Sequence, residues 1–202
     1  MNSELLIIYV KTPILGHVKT RLAESIGEEK ALYVYRKLLG ISRDCISELP
    51  VDIIVSYGNE IDENDFWEGH NMFRSQQIEG TLGERMYADI EKGFSMGYEK
   101  VCLVGSDIPE LTPSILNSAF EALEKKQIVL GPAYDGGYYL IGFQQQTQNR
   151  QLLFEEIEWS TPEVLKQTLK KARKNKLSYY LVEKLKDIDR LEDLNGYGFL
   201  LD

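Results

Sequence analysis

The sequence predicts an α/β protein: a mostly parallel sheet with helices on both faces and one antiparallel strand. Three observations carry this. Short apolar runs of strand length alternate with longer stretches whose apolar residues recur at three and four, the pattern of parallel strands joined by helical crossovers. The runs Ile128–Leu130 and Tyr138–Phe143 lie too close together for a crossover, so the second must run antiparallel. The run Val101–Val104 ends at Gly105, with Asp107 and Pro109 just beyond. A carboxylate therefore sits past the carboxyl end of a buried strand, the edge where open α/β sheets bind ligands.

The elements follow in order. Leu5–Val10 is a buried strand, and Lys11–Arg21 is a loop broken by Pro13 and Gly16. From Gly27 to Glu48 the positions Ala31, Leu32, Tyr35, Leu38, Leu39, Ser42 and Ile46 mark a helix. Val51–Tyr57 is a second strand, Asn59–Gly69 is acidic and irregular, and Asn71–Gln77 is a short edge strand. The turn Gly80–Met86 leads into a helix ending near Met96, before the central strand. Thr112-Pro113 opens a helix to Lys126, with Thr as N-cap and Pro in the first turn. Thr161-Pro162 repeats that signal for a helix to about Asn175. Leu177–Val182 is the last strand, and Asp187–Leu194 leads into a C-terminal helix.

Length and composition narrow the function classes. The 202 residues suit one domain over 1–202. A net charge of −9 argues against non-specific nucleic-acid binding. Cys45 and Cys102 are the only cysteines and show no metal spacing or disulfide framework, as expected of a cytoplasmic protein. Met1–Val10 reads as a strand and not a signal peptide, and no run reaches the roughly 20 apolar residues of a membrane span. The cluster Lys166, Lys170, Lys171, Arg173, Lys174 and Lys176 reads as a solvated helix face with a C-terminal charge preference.

Parallel strands bring their carboxyl ends to one edge. The first loop delivers Lys11, Lys19 and Arg21 there, with no acidic residue before Glu24. The central strand delivers Asp107, the loop before the antiparallel strand delivers Asp135, Gly136 and Gly137, and the last strand is followed by Asp187 and Asp189. In an extended segment that last pair, at i and i+2, would point the same way. Carboxylates without His or Cys suit Mg²⁺ or Mn²⁺, held by one or two carboxylates plus substrate phosphates. Lys and Arg then neutralise the remaining phosphate charge. Gly16-His-Val-Lys19-Thr20 lacks the Gly before Lys that a P-loop needs, and the first loop has no dinucleotide fingerprint. No Ser-His-Asp or Cys-His system is evident, since His17 and His70 are the only histidines.

The stretches Pro13-x-x-Gly16-x-Val-Lys19-Thr20-Arg21-Leu22, Leu82-Gly83-Glu84-Arg85-Met86, Gly105-Ser106-Asp107-x-Pro109, Gly131-Pro-Ala-x-Asp135-Gly136-Gly137-Tyr138, Trp159-Ser160-Thr161 and Asp187-Ile-Asp189 resemble a family of bacterial GT-A-fold proteins. These are described as glycosyltransferases or nucleotide-diphospho-sugar transferases and were long catalogued as a domain of unknown function. More distantly the chain is similar to molybdenum-cofactor and phospholactate nucleotidylyltransferases. The resemblance implies a GT-A Rossmann-like three-layer α/β/α fold, a nucleotide or nucleotide-sugar donor and a divalent cation. It makes Asp107 the metal aspartate and places Asp187 and Asp189 where related enzymes supply a second ligand. Two departures stand out. Lys19-Thr20-Arg21 replaces the L-x-x-G-x-G-x-R-M signature of sugar nucleotidylyltransferases, and Arg190-Leu191 stands where relatives often have Thr-Pro.

The expected catalytic set is Asp107, Lys19 and Asp135. Phosphate and nucleotide contacts are expected from Lys11, Gly16, Lys19, Thr20, Arg21, Gly83, Arg85 and Ser106. Asp135, Gly136, Gly137 and Tyr138 would form the loop for the sugar or an unidentified small acceptor, against a plain hairpin turn, for which Asp-Gly is itself a signal. Arg85 has the alternative of an ion pair with a helix neighbour, and Trp159 reads as a core aromatic. Glycosyl transfer is the expected reaction. Nucleotidylyl transfer to a small phosphorylated acceptor, with pyrophosphate release, is the alternative. A third reading is an inactive nucleotide-binding regulator.

Overall fold

The computed structural model describes residues 3–201 except 63, 64, 66, 68 and 70. His70 and part of the acidic 59–69 stretch thus lie outside the described residues. Strand β1 (Glu4–Val10) carries Leu5, Leu6, Ile7 and Ile8, all fully buried. An apolar run with no polar face is what a strand covered on both sides requires. Its neighbours are β2 (Asp52–Tyr57) and β4 (Lys100–Gly105), both parallel to it. The full order is β3-β2-β1-β4-β6-β5-β7, with β3 (Met72–Gln76), β5 (Ile128–Pro132), β6 (Tyr138–Gln144) and β7 (Tyr179–Leu181). Strand β6 runs antiparallel to both β4 and β5, so the expected antiparallel strand creates two antiparallel pairs inside the sheet.

Period-two alternation splits the core in two. Leu6, Ile8, Ile53, Val55, Cys102 and Val104 pack with helices α2 (Glu28–Ser47) and α4 (Pro113–Ala122). Leu5, Ile7, Val101, Leu103, Ile128 and Ile141 pack with α3 (Leu82–Ser95) and α5 (Val164–Lys174). Thr112 caps α4 as expected, its Oγ1 accepting from the Ile115 N–H at 3.4 Å with Pro113 in the first turn. Helix α3 begins with a reciprocal capping box between Thr81 and Glu84.

Four expectations need correction. An additional helix, α1 (Thr20–Ile26), occupies the end of the first loop. Gly27, at φ +85°, separates it from α2, and fully buried Leu22 anchors it. Helix α5 starts at Val164 and not at the Thr161-Pro162 signal. The Thr161 hydroxyl donates back to the Glu158 carbonyl at 2.6 Å and accepts from the Glu163 N–H at 3.4 Å, so it closes the turn before the helix. Helix α4 ends at Ala122, short of Lys126. The C-terminal helix is replaced by 3₁₀ turns over Leu191–Leu194 and Gly198–Leu200. The outer lysines of α5 are exposed or locally paired, Lys166 with Glu163 and Lys171 with Glu156.

Those last turns still matter for the site. Ile188, Leu194 and Leu200 pack with Leu22, Ala31, Val34 and Leu38 of α1 and α2 in a third, smaller core. Ile188 is fully buried, which fixes the two aspartates on either side of it.

Candidate functional site

A cleft of about 520 Å³ opens along the carboxyl edge of the sheet. Lys11, Lys19, Thr20, Arg21, Arg85, Ser106, Asp107, Asp135, Gly137, Tyr138, Asp187 and Asp189 all line it. Residues from five separate stretches of the sequence therefore meet there. Gly16, Gly83 and Gly136 are not among the lining residues, and each has a local steric reason for being glycine. Gly16 takes φ +76° in the first loop, and at Gly83 a Cβ would fall 2.7 Å from the Trp159 ring. At Gly136, with φ +92°, a Cβ would meet the Pro162 carbonyl oxygen at 2.3 Å.

The first loop is held down before it reaches the site. The Tyr35 hydroxyl on α2 accepts from the Lys11 N–H at 2.8 Å and donates to the Lys11 carbonyl at 3.2 Å. Burial pushes this phenol up to about 12, so it stays neutral and keeps both bonds. The loop then turns at Lys19, whose φ of +47° is left-handed. Non-glycine residues in that region cost energy and persist where surrounding contacts hold them. Here the holding contacts come from the side chain. Lys19 Nζ lies 3.1 Å from Asp107 Oδ2 and donates to the Ile188 carbonyl at 2.5 Å. The Lys19 side chain is only 7% exposed, against 38% for Asp107.

The C-terminal segment closes the arrangement. The Ile188 N–H donates to the Asp107 carbonyl at 3.0 Å, tying the two carboxylate-bearing loops together. Asp187 and Asp189 both line the cleft but have different partners. Asp189 accepts from Arg21 Nη1 at 2.8 Å in an exposed pair. Asp187 is pushed up to about 6 by its burial and then by the charges of Asp107 and Asp135, with Lys19 acting in the opposite sense. Asp107 is thus in contact with the buried Lys19 ammonium, while Asp187 feels the charges of Asp107, Asp135 and Lys19. Asp135 also accepts from the Gly137 N–H at 2.8 Å, which folds the Asp135–Gly137 turn on itself. The turn is further anchored where the Leu165 N–H donates to the Gly136 carbonyl at 3.0 Å.

The donor set around Lys19 is all oxygen, as hard cations prefer. Among the described residues, no three His, Cys, Asp or Glu side chains gather closely enough to hold a metal by themselves. A hard ion here would need phosphate oxygens in its shell, the ordinary arrangement for Mg²⁺. The residues present fit such an ion on those terms.

The other half of the cleft is apolar and aromatic, with Leu82, Met86, Leu103, Ile141 and Trp159. Trp159 packs against Phe154 and edge-on to Tyr138, so it is both a packed aromatic and a wall of the cleft. Arg85 donates through Nη1 to Gln77 Oε1 at 2.8 Å, and its Nε is buried without a hydrogen-bond partner. Tyr9, Tyr35 and Gln77 were missed as cleft residues by sequence reasoning. They occupy positions in strands and a helix whose pattern reads as structure. For Gln77, a polar residue at the carboxyl end of an edge strand was the available signal.

Fold and site together define a class: an α/β protein with a mixed sheet of the GT-A and nucleotidyltransferase kind and a charged cleft at its carboxyl edge. A family described as "Uncharacterized protein conserved in bacteria (DUF2064)" matches residues 41–161. The chain belongs to that family. It is similar to a crystal structure described as a "putative nucleotide-diphospho-sugar transferase" from Desulfovibrio desulfuricans G20. There the identity is 32%, the TM-score 0.90, and the match covers 98% of this chain and 87% of that one. A 4-diphosphocytidyl-2C-methyl-D-erythritol synthase from Anaerococcus prevotii shares the fold at 13% identity and TM-score 0.63, covering 99% and 96% of the two chains. The inositol-1-phosphate CTP transferase from T. maritima does so at 16% and 0.60, covering 99% and 94%. No curated protein matches the sequence. Among the described residues no helix is long and apolar enough to cross a membrane.

Proposed function

We propose that this protein is a nucleotide-dependent transferase that moves a glycosyl group from a nucleotide-diphospho-sugar to a small acceptor, with Mg²⁺ or Mn²⁺. The observation that carries the reading is the meeting of Lys19 and Arg21, from one loop, with Asp107, Asp187 and Asp189 in a single cleft. Cations and carboxylates so mixed suit a metal-bridged diphosphate. The description of the Desulfovibrio relative supports a nucleotide-sugar as donor.

In this reading Lys19 and Arg21 bind the donor diphosphate and balance the charge that grows on it as the glycosyl bond breaks. Asp107 and Asp187 would hold the metal, with Asp189 beside them; the bound ion would supply Lewis-acid stabilisation of the leaving phosphate. The acceptor would enter from the Asp135–Tyr138 side, with Asp135 as the group that takes its proton. Lys11, Thr20 and Ser106 face the donor, and Arg85 reaches it from α3. Nucleotidylyl transfer, with attack at the α-phosphorus and pyrophosphate leaving, is the second reading. The two adjacent cations of the first loop favour it, because a triphosphate carries more charge to balance.

Two measurements test these roles. Lys19→Ala and Arg21→Ala should each weaken binding of nucleoside di- or triphosphates more than of nucleosides, because the contact is with phosphate. Equal losses for both ligand types in calorimetric titrations would remove the loop from the phosphate site. A thermal-shift screen of nucleoside triphosphates and nucleotide-sugars should give hits that depend on Mn²⁺. A ligand at 100 times its dissociation constant adds about 2.7 kcal/mol. At roughly 2–4 °C per kcal/mol for a chain of this size, the midpoint should rise on the order of 5–10 °C. The best ligand is then incubated without acceptor, where water is the slow acceptor. A nucleoside diphosphate released from a nucleotide-sugar supports glycosyl transfer, and pyrophosphate released from a triphosphate supports the second reading. No shift with any nucleotide in either metal condition would sink both.

A further inference from the structure

Both cations of the first loop are already engaged: Lys19 with Asp107, to which a metal role is assigned above, and Arg21 with Asp189 beside it. Lys19 Nζ is 3.1 Å from Asp107 Oδ2, and Arg21 Nη1 is 2.8 Å from Asp189 Oδ2. The inner pair is the consequential one, because the Lys19 side chain is only 7% exposed and water screens it little. The outer pair is exposed on both sides and weak.

A divalent ion arriving alone would have to share Asp107 with an ammonium already in contact with it. A diphosphate arriving alone would find that ammonium neutralised, with the charges of Asp107, Asp135 and Asp187 nearby. Arriving together, each takes the other's counter-ion: the metal takes the carboxylate and the phosphate takes the ammonium. Lysine suits this exchange, being a compact charge on a flexible stem. Its left-handed backbone is held in part by the contacts that the exchange would break.

Building on the function proposed above, we infer that the cleft takes a divalent metal and a diphosphate as a pair, by counter-ion exchange at Lys19, and takes neither well alone. The coupling is reciprocal, so it can be read from either side.

From the metal side, Mn²⁺ is titrated into the nucleotide-free protein and followed by loss of the paramagnetic signal of the free ion. Lys19→Met keeps an unbranched side chain one atom shorter and removes its charge. This variant should bind Mn²⁺ about tenfold tighter than the parent, or about 1.4 kcal/mol. From the phosphate side, inorganic pyrophosphate is titrated in the presence of EDTA. Asp107→Asn frees the ammonium and should bind pyrophosphate about threefold tighter than the parent. Melting curves establish that both variants fold. If Lys19→Met does not, the pyrophosphate measurement decides alone. Equal Mn²⁺ affinities in parent and Lys19→Met, or no gain in pyrophosphate binding by Asp107→Asn, would overturn the exchange and leave nucleotide-dependent transfer standing. Failure of the parent to bind any nucleotide with Mn²⁺ present would remove the function reading, and the exchange with it.

Discussion

Asp107→Asn should weaken Mn²⁺-dependent nucleotide binding at least about tenfold, a loss of about 1.4 kcal/mol or more. The substitution keeps the shape of the side chain and removes the negative charge, so circular dichroism should be unchanged. The position of Asp107 explains the size of the effect. It follows β4 at the centre of the cleft edge, and its side chain is 38% exposed, open enough to receive a ligand. Its backbone carbonyl is tied to Ile188, so the variant should keep the loop in place. In the metal-free variant the Asp187 carboxyl should titrate lower than in the parent, where burial and then the Asp107 charge hold it at about 6. It should stay above the ordinary range, because burial is the larger cause. Asp189→Asn should have a smaller effect on nucleotide binding, because its pair with Arg21 is exposed on both sides. Unchanged metal dependence in Asp107→Asn, measured by titration with and without Mn²⁺, would remove the metal role at its centre.

The second large effect is on stability. Gly136→Ala combines two independent penalties. Its φ of +92° lies in the region that residues with a Cβ avoid, and that Cβ would fall 2.3 Å from the Pro162 carbonyl oxygen. A strained backbone conformation costs about 1–3 kcal/mol and overpacking about 1–3 more. A combined loss of roughly 3 kcal/mol should lower the melting midpoint by on the order of 6–12 °C. Gly196→Ala is the control, since its φ is +91° but nothing lies within 4 Å of the added methyl. It should show the backbone penalty alone. Equal losses in the two variants would mean that the Pro162 segment moves aside. The Asp135–Gly137 turn would then be less rigidly fixed than its bond to α5 implies. Because that turn positions Asp135, the folded fraction of Gly136→Ala should also lose turnover.

The chain carried much of this in readable form. The apolar runs of β1, β2, β4 and β5 could be read because strands buried on both faces are apolar over most of their length. The antiparallel β6 could be read because the short gap between β5 and β6 cannot hold a crossover. Lys19, Arg21, Asp107, Asp135, Asp187 and Asp189 could be placed at one edge because parallel topology brings strand ends together. The sequence could not show that Lys19 and Asp107, 88 residues apart, are in contact, nor that Arg21 and Asp189 are. Such pairing depends on side-chain directions set by packing, above all by buried Ile188 in the small C-terminal core. It also could not show that α5 begins at Val164, with the Thr161 hydroxyl donating to Glu158 and accepting from the Glu163 N–H in the turn before it. A Thr-Pro pair has the same local signal wherever it stands, and only the neighbouring turn decides what the hydroxyl meets. Residue type and period thus settled which groups reach the edge. Packing of distant segments decided which of them touch, because contact energies between residues far apart in the chain leave no trace in local pattern.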